Sequence, residues 1–505
     1  MQYGFAIDQR TCIGCHACTV ACKTEHEVPL GQFRTWVKYV DRGEYPDVKR
    51  DFGVMRCNHC TDAPCVAICP TSSLFKRDDG IVDFDPDRCI GCKSCMQACP
   101  YDALYIDEDT HTAAKCNFCA HRIDQGLEPA CVVVCPTESI WVGDLHDPES
   151  GIRKFLSLHP VQTRTPEQGT GPNVVYVGAS ETVLDPLAAP VDETYIWASP
   201  DAQRAENRSD VETDPSTRAR TTLNTAHPRP WGWKVWTYLW TKSVAAGAAL
   251  LAGMVLVLGG PQTTLTTIVA PLVAALFVAA TAALLVADLK RPERFYYLLT
   301  KPNPTSWLVW GGLVLGVFAG VVGLWFLSGV LDVTRGVTLF GWLALPAAVM
   351  TAGYTAFLFA QAEGRDLWQS PLLFWHLQAQ AVMAGGGALL VLAPLVNAPG
   401  PVTRSVAVAV AVAIAVHLVM VALELGGRHT TRNAAVAASV ITRGRYAVTF
   451  WTWSVMLSVV AFGGFLVIAL GVSAWLGVVV GLLVQVPLLA YEAVFVKAGQ
   501  DPPLS

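Results

Sequence analysis

Sixteen cysteines carry the most pointed chemistry in this chain, and all of them precede residue 136. They form four groups of four: Cys12, Cys15, Cys18 and Cys22; Cys57, Cys60, Cys65 and Cys69; Cys89, Cys92, Cys95 and Cys99; and Cys116, Cys119, Cys131 and Cys135. The last three groups each end in Cys-Pro, at Pro70, Pro100 and Pro136, whereas Cys22 is followed by Lys23. Three thiolates on one tight loop cap three irons of a cubane. In two-cluster ferredoxins the fourth thiolate, three residues further on, serves the neighbouring cluster. Zinc is the competing reading, but zinc sites favour two CxxC pairs over a triple with a trailing fourth cysteine. Disulfide pairing would suit an exported protein, and Met1 to Arg10 has neither an apolar core nor a twin arginine, so no cleavable leader is expected. The spacing therefore predicts four [4Fe–4S] clusters with all sixteen cysteines as iron ligands. Lys23 after the first group, and the long Cys119–Cys131 insertion in the fourth, predict unequal surroundings and unequal potentials. Lys23, Arg56, Lys93, Lys115, His121 and Arg122 stand near these ligands in sequence. A cation beside an anionic cluster favours its reduced state, although ordinary surface charge accounts for each of them singly.

The elements that must position these ligands lie in a chain of two halves. Hydrophobic residues make up 52% and charged residues 15% of the sequence, and nearly every long apolar run follows residue 235. No basic stripe suggests a nucleic-acid partner. Before residue 180, short strand-like runs such as Ile81–Phe84, Ala103–Ile106 and Val174–Val177 alternate with the cysteine loops. Residues 181–229 turn to Asp, Glu, Ser, Thr, Pro and Arg, the composition of a polar linker. Eight apolar segments follow at roughly 236–258, 264–287, 306–328, 338–360, 371–394, 404–424, 447–470 and 473–494, each near the ~20 residues that a spanning helix needs. Gly471-Val472-Ser473 supplies the hairpin between the last two.

The expected architecture is thus multidomain. An α+β double bacterial-ferredoxin-like iron–sulfur domain over 1–180 and a polar linker over 181–229 precede an all-α bundle of eight transmembrane helices over 230–505. With an even number of spans both ends share one side. Loops on that side carry Lys290, Arg291, Arg294, Lys301, Arg365, Arg428, Arg432, Arg443 and Arg445, and the tail adds Lys497, against Arg335 and Arg404 opposite. The positive-inside bias places the cluster domain and both termini in the cytoplasm and the bundle in the inner membrane.

The cysteine text, including Cys12-Ile13-Gly14-Cys15-His16-Ala17-Cys18, Cys57-Asn58-His59-Cys60 and Cys116-Asn117-Phe118-Cys119, resembles the four-cluster subunits of the dimethyl sulfoxide and polysulfide reductase families. Residues 231–505 resemble the NrfD family of polysulfide reductase membrane subunits. The carriers are Asp288-Leu289-Lys290-Arg291-Pro292-Glu293-Arg294-Phe295, Asn303-Pro304-Thr305-Ser306, Tyr354-Thr355 and Ala498-Gly499-Gln500-Asp501-Pro502-Pro503-Leu504-Ser505. The resemblance implies cross-ligation, with Cys12, Cys15, Cys18 and Cys135 in one cluster and Cys116, Cys119, Cys131 and Cys22 in another. Cys57, Cys60, Cys65 and Cys99 would hold a third, and Cys89, Cys92, Cys95 and Cys69 the last. It also implies a separate catalytic subunit with a molybdenum or tungsten bis-pterin centre, quinone or menaquinone as the exchangeable substrate of the membrane domain, and no haem.

A quinone site needs hydrogen-bonding and ionisable groups at the membrane edge, where burying them is costly. Asp288, ending the second span, and Tyr354, in the inner half of the fourth, match family positions linked to quinone binding and are the candidates for quinone and proton chemistry. Trp236, Tyr238, Trp240 and Lys242 reach the same depth, although an interfacial aromatic belt accounts for the aromatics. Arg291 and Arg294 are expected to hold Asp288, dock the cluster domain or simply anchor the loop. Glu424, His417 and His376 are further polar groups within the spans, suited to a proton relay or structural hydrogen bonds, with haem ligation by the two histidines as the rival. Glu363, Arg365 and Asp366 are expected to be solvated. The functional expectation is an electron-transfer and quinone-interacting subunit of a membrane-bound respiratory oxidoreductase. The alternatives are an electron-transfer module of a hydrogenase or formate dehydrogenase, or a relay or scaffold subunit of a larger ion-translocating complex.

Overall fold

The computed structural model of the chain describes residues 1–189, 219–225, 229–473 and 475–505. Its cysteine domain is built around hairpins that separate consecutive cysteine groups. Strands β2 (Thr35–Glu44) and β3 (Asp47–Arg56) lie between the first and second groups, β4 (Leu74–Lys76) and β5 (Val82–Phe84) between the second and third, and β6 (Leu104–Ile106) and β7 (Ala113–Lys115) between the third and fourth. In each CxxC turn the residue before the second cysteine has left-handed backbone: Gly14 at φ 68°, His59 at 44°, Gly91 at 68° and Phe118 at 64°. That conformation folds each turn back on itself. Glycine adopts it freely, whereas His59 and Phe118 must be held there by their surroundings.

Strand β1 (Tyr3–Asp8) closes the domain, paired antiparallel with β8 (Ile140–Asp144) and parallel with β10 (Val174–Val177), whose other edge takes β9 (Val161–Gln162). Phe5, Ala6 and Ile7 on β1 are fully buried. Strand β11 (Ala219–Leu223) pairs with β2 inside the stretch expected to be linker. Its inward residues Ala219 and Thr221 are buried, and Thr182, Val183 and Leu184 just past residue 180 also enter the core. Apolar packing therefore continues beyond the expected boundary. Residues 190–218 and 226–228 of the linker expectation lie outside the described residues.

Among the described residues eight helices are long and apolar enough to cross a membrane: Trp233–Val257, Leu265–Asp288, Trp307–Val330, Thr334–Ala360, Leu373–Val396, Gly400–Gly426, Thr449–Ala469 and Leu476–Gly499. They match the expected segments, and Gly471 forms the last hairpin at φ 86°. The first span is the hub, with 72% of its apolar window buried, against 33% for the second and 28% for the seventh. Small residues make this possible, because they let helix backbones approach closely. The run Ala245-Ala246-Gly247-Ala248-Ala249 lies against the fifth span so tightly that a side chain at Gly247 would strike the Ala381 backbone, and one at Gly385 the backbone of Gly247 and Ala248.

The two domains share an extensive polar seam. From the loop after the second span, Lys290 N–H and Arg291 N–H donate to Gly91 and Ile90 carbonyls, both at 3.2 Å. Arg294 donates to Pro86 O at 2.7 Å and Cys89 O at 3.0 Å, and Arg291 to Thr110 O at 2.8 Å. Before the third span, Asn303 Nδ2 donates to Cys69 O and Ser306 Oγ to Ile68 O, both at 2.7 Å. Arg365, expected to be solvated, is instead 5% exposed. Its guanidinium donates to Gln97 Oε1 at 2.8 Å and Gln500 O at 3.3 Å, because the domain seam covers its loop. Gln500 in turn accepts from Gln97 at 2.7 Å and from Trp231 N–H at 3.0 Å.

Gly247→Ala should lower stability by about 1–3 kcal/mol, the usual cost of overpacking. Gly316→Ala, where an added methyl meets nothing within 4 Å, should leave it nearly unchanged. Thermal unfolding of both variants in detergent checks the contrast.

Candidate cluster sites and their contact with the helical bundle

The cysteine loops converge in four sets. Cys12, Cys15, Cys18 and Cys135 line one hollow together with Pro136 and Ile13. Cys22 lies in the electrostatic reach of Cys116, Cys131 and Cys119. Cys65 is grouped in the same way with Cys57, Cys99 and Cys60, and Cys69 with Cys89, Cys92 and Cys95. Among the described residues no three His, Cys, Asp or Glu side chains are spaced to hold a single metal ion. Thiols spread around a wider hollow suit a cubane better than one tetrahedral zinc.

Arg56 tests the fit most sharply. It is fully buried, with Nη1 donating to Cys131 Sγ at 3.3 Å, while Nε and Nη2 have no hydrogen-bond partner. It faces Cys18 of one set and Cys116 and Cys131 of the next. Burial works against its charge, and those thiolates nonetheless hold its pKa above the ordinary value. A buried cation with orphaned N–H groups is costly unless something anionic lies beside it. Two iron–sulfur clusters held by these thiolates would supply that. Backbone N–H groups also point at the ligands, from Gly91 and Ala113 to Cys89 Sγ at 3.4 and 3.3 Å, and from Ser139 to Cys135 Sγ at 3.3 Å.

Burial pushes the Cys18 thiol up to about 11 and those of Cys60, Cys92 and Cys119 up to about 12. Cys135 is the exception. Burial raises it, but the Ser139 and Thr137 N–H groups draw it below the ordinary thiol value. Of the other cations singled out from sequence, Lys115 is fully buried and donates to Cys116 O at 2.9 Å. Lys23 donates to Pro29 O and Gln32 O, and His121 and Arg122 pair with Glu25.

Lys93, next to Cys92, reaches across the seam to Asp288, with Nζ and the carboxylate 2.8 Å apart and side chains only 8% and 17% exposed. Asp288 is thus held by the cluster domain, while Arg291 and Arg294 dock backbone carbonyls instead. Leu358 of the fourth span belongs to the same apolar core as the thiols of the second and third cysteine groups, and Trp307 and Leu308 pack against it. Tyr354 is buried one turn deeper, its ring packed on Gly311 and lying 5.2 Å from Lys242 Nζ. Lys242 donates to Ala352 O at 2.9 Å and to Thr355 Oγ1. Tyr238 lies within electrostatic reach of Tyr354, Asp288 and Glu492, so the bundle gathers both candidate residues around one phenol. Sequence reasoning missed Glu492. Its carboxylate is buried with neither oxygen hydrogen-bonded, and Lys242 is its charge partner. The signal was a lone acid within the apolar run from Leu488 to Val496. His376 Nε2 and His417 Nδ1 hydrogen-bond each other at 2.8 Å.

Residues 48–145 match the 4Fe-4S dicluster domain family, and residues 221–497 match the family described as Polysulphide reductase, NrfD. Relatives of the cluster domain include a tetrathionate reductase subunit of Salmonella typhimurium, 45% identical over 37% of this chain and 76% of its own length. A polysulfide reductase subunit of Wolinella succinogenes is 41% identical over 35% of this chain and 94% of its own. The arsenate respiratory reductase iron-sulfur subunit of Shewanella is 35% identical over 35% of this chain and 96% of its own.

Replacing the buried cation by Arg56→Gln should lower the midpoint potential of the adjoining clusters by on the order of 60 mV, a tenfold change for a one-electron couple. An EPR-monitored redox titration reads that shift. Because most thiols are held protonated in the bare protein and iron binds thiolate, cluster assembly must release protons. Reconstitution of the cluster-free protein with iron and sulfide should therefore tighten as pH rises from 7 to 9, with proton release measured in weakly buffered solution.

Proposed function

We propose a function from the premise that this protein belongs to the NrfD polysulphide reductase family and carries a 4Fe-4S dicluster domain ahead of its membrane domain. It relays electrons between a separate molybdenum or tungsten bis-pterin subunit and quinone, or menaquinone, in the membrane. The observation that carries the reading is the Lys93–Asp288 contact, which joins a cluster-ligand loop directly to the end of a spanning helix. The relatives' own names describe single subunits of tetrathionate, polysulfide and arsenate reductases, in keeping with substrate chemistry on a partner.

When bound, the [4Fe–4S] clusters supply one-electron transfer between neighbours. The chain's own residues do the rest. The sixteen cysteines hold the four sites in two pairs, and Arg56 balances charge between the pair that draws on the first and fourth cysteine groups. The remaining pair sits on the seam against the bundle. At the far end Cys15 is exposed, with Ile13 and Val20 beside it in sequence 56% and 62% exposed and Val133, two residues before Cys135 of the same set, 59% exposed. Exposed apolar residues around an outer redox site suit the docking of a catalytic subunit. At the membrane end Tyr354 and Asp288 present a phenol and a carboxylate to quinone. Reducing it takes two electrons and two protons, and in this reading Asp288 gives or takes one of the protons. The cytoplasm is the side proposed for the cluster domain, on the positive-inside bias of the loops.

Two outcomes follow. Anaerobic purification from native membranes should bring down a large partner containing molybdenum or tungsten. A nickel protein in its place would favour the hydrogenase reading, and no catalytic partner at all the scaffold reading. Asp288→Asn should slow quinol oxidation about 100-fold, the usual weight of a proton-transfer group, with iron and sulfide content unchanged. Unaltered quinol kinetics would remove Asp288 from the site.

A further inference from the structure

A second polar assembly lies in the helical domain, on spans five, six and eight. The Glu424 carboxylate accepts from Ser370 Oγ at 2.8 Å with one oxygen and meets His376 Nδ1 at 2.8 Å with the other. His376 Nε2 meets His417 Nδ1 at 2.8 Å. His376 is 0% and His417 1% exposed, whereas Ser370 is half-buried in the loop between the fourth and fifth spans, on the cluster-domain side. The series thus starts at that face and runs inward. His417 stands nine residues from the end of its helix, roughly 13 Å deep at 1.5 Å per residue. Lys242 stands at the same depth in the first span.

The eighth span joins this assembly to the Asp288–Tyr354 cluster. Tyr491 packs its ring on both imidazoles, with centroids 5.1 Å from each. The next residue, Glu492, faces Lys242 and Tyr238. Burying a carboxylate with no hydrogen bond on either oxygen is expensive, and such a residue within a span marks a pathway more often than a scaffold.

We infer that Glu424, His376 and His417 form a proton relay from the cluster-domain face of the membrane to Glu492, which holds the proton for quinone reduction. In each passage a proton entering at Glu424 moves to His376 Nδ1, and the proton on His376 Nε2 passes to His417 Nδ1. The proton on His417 Nε2 then passes to the Glu492 carboxylate, and both imidazoles return to their starting tautomers before the next proton enters. One passage supplies one of the two protons that quinone takes up with its two electrons; the other comes from Asp288, the electrons come through the cluster domain, and no other reactant is consumed. The groups facing the relay are Tyr491 on its own side and Lys242, Tyr238 and Tyr354 beyond Glu492. The inference rests on the quinone reading above, since it assigns the route of one proton of that reaction.

The test uses the full-length protein with its co-purified partner in proteoliposomes and a soluble menaquinone analogue. Glu424→Gln and His376→Gln should each cut turnover tenfold or more with the KM for the analogue unchanged. Added imidazole should restore part of the rate, and Glu424→Asp should stay near wild type. Infrared difference spectra of the wild-type protein should show a carboxylic-acid stretch that appears on reduction, shifts in heavy water and is lost in Glu492→Gln. Wild-type rates in both Gln variants, or no such band in the wild-type protein, would overturn the relay and leave the quinone reading standing. A wild-type protein that neither binds nor reduces the analogue would overturn both.

Discussion

Backbone carbonyls in the cysteine loops impose the constraint on which the two-domain arrangement depends. A helix that ends at Cys-Pro cannot continue its own hydrogen bonds, so the last carbonyls of such turns need donors from elsewhere. At Ile68 and Cys69 these come from Ser306 and Asn303, and the Cys89 carbonyl, in the loop that opens the third cysteine group, takes Arg294 as its donor. The helical domain therefore completes the hydrogen bonding of the loops that hold the inner cysteine sets. Gly364 shows how close the approach is, because an added side chain there would meet Cys99 O at 2.6 Å. A seam satisfied in this way orients the inner ligands relative to the spans, and the Lys93–Asp288 ion pair forms inside it.

The bundle answers a different cost. Lys242, Glu492, His376 and His417 are all buried in spans that are otherwise apolar, where each ionisable group is unfavourable alone. Lys242, His376 and His417 are tolerated because they hydrogen-bond one another, Glu424, Thr355 or the Ala352 carbonyl, whereas Glu492 has only the charge of Lys242 to offset its burial. The close approach of the first and fifth helices at Gly247 and Gly385 brings span one into the interior. Its depth there decides which residues Lys242 can reach, so small residues with no chemistry of their own set the geometry of those that have it.

Joining the domains in one polypeptide also changes the energetics of their contact. The named relatives are matched over most of their own length by the cluster domain alone. Here the connection makes docking intramolecular, which raises the effective concentration of each domain for the other. A polar seam rich in hydrogen bonds suffices under those conditions, without the large apolar interface that an obligate pair of separate polypeptides would need.

Local text determined the four groups of four cysteines and the eight spans, because a closely spaced cysteine triple and a run of some twenty apolar residues are each specified by neighbours in sequence. The DLKRPERF, NPTS and C-terminal segments were legible as family text, but not as the docking seam that they form. Partners hundreds of residues apart, such as Gln97 with Gln500 and Lys93 with Asp288, leave no periodicity to read. For the same reason Arg365 looked solvated, β11 looked like linker and Glu492 passed unnoticed. Whether a charge is buried depends on what folds over it, and its partner is chosen by packing. Only the tertiary structure decided which cysteine sets face the bundle, which cation holds Asp288, and that Tyr491 and Glu492, neighbours on one helix, face different partners.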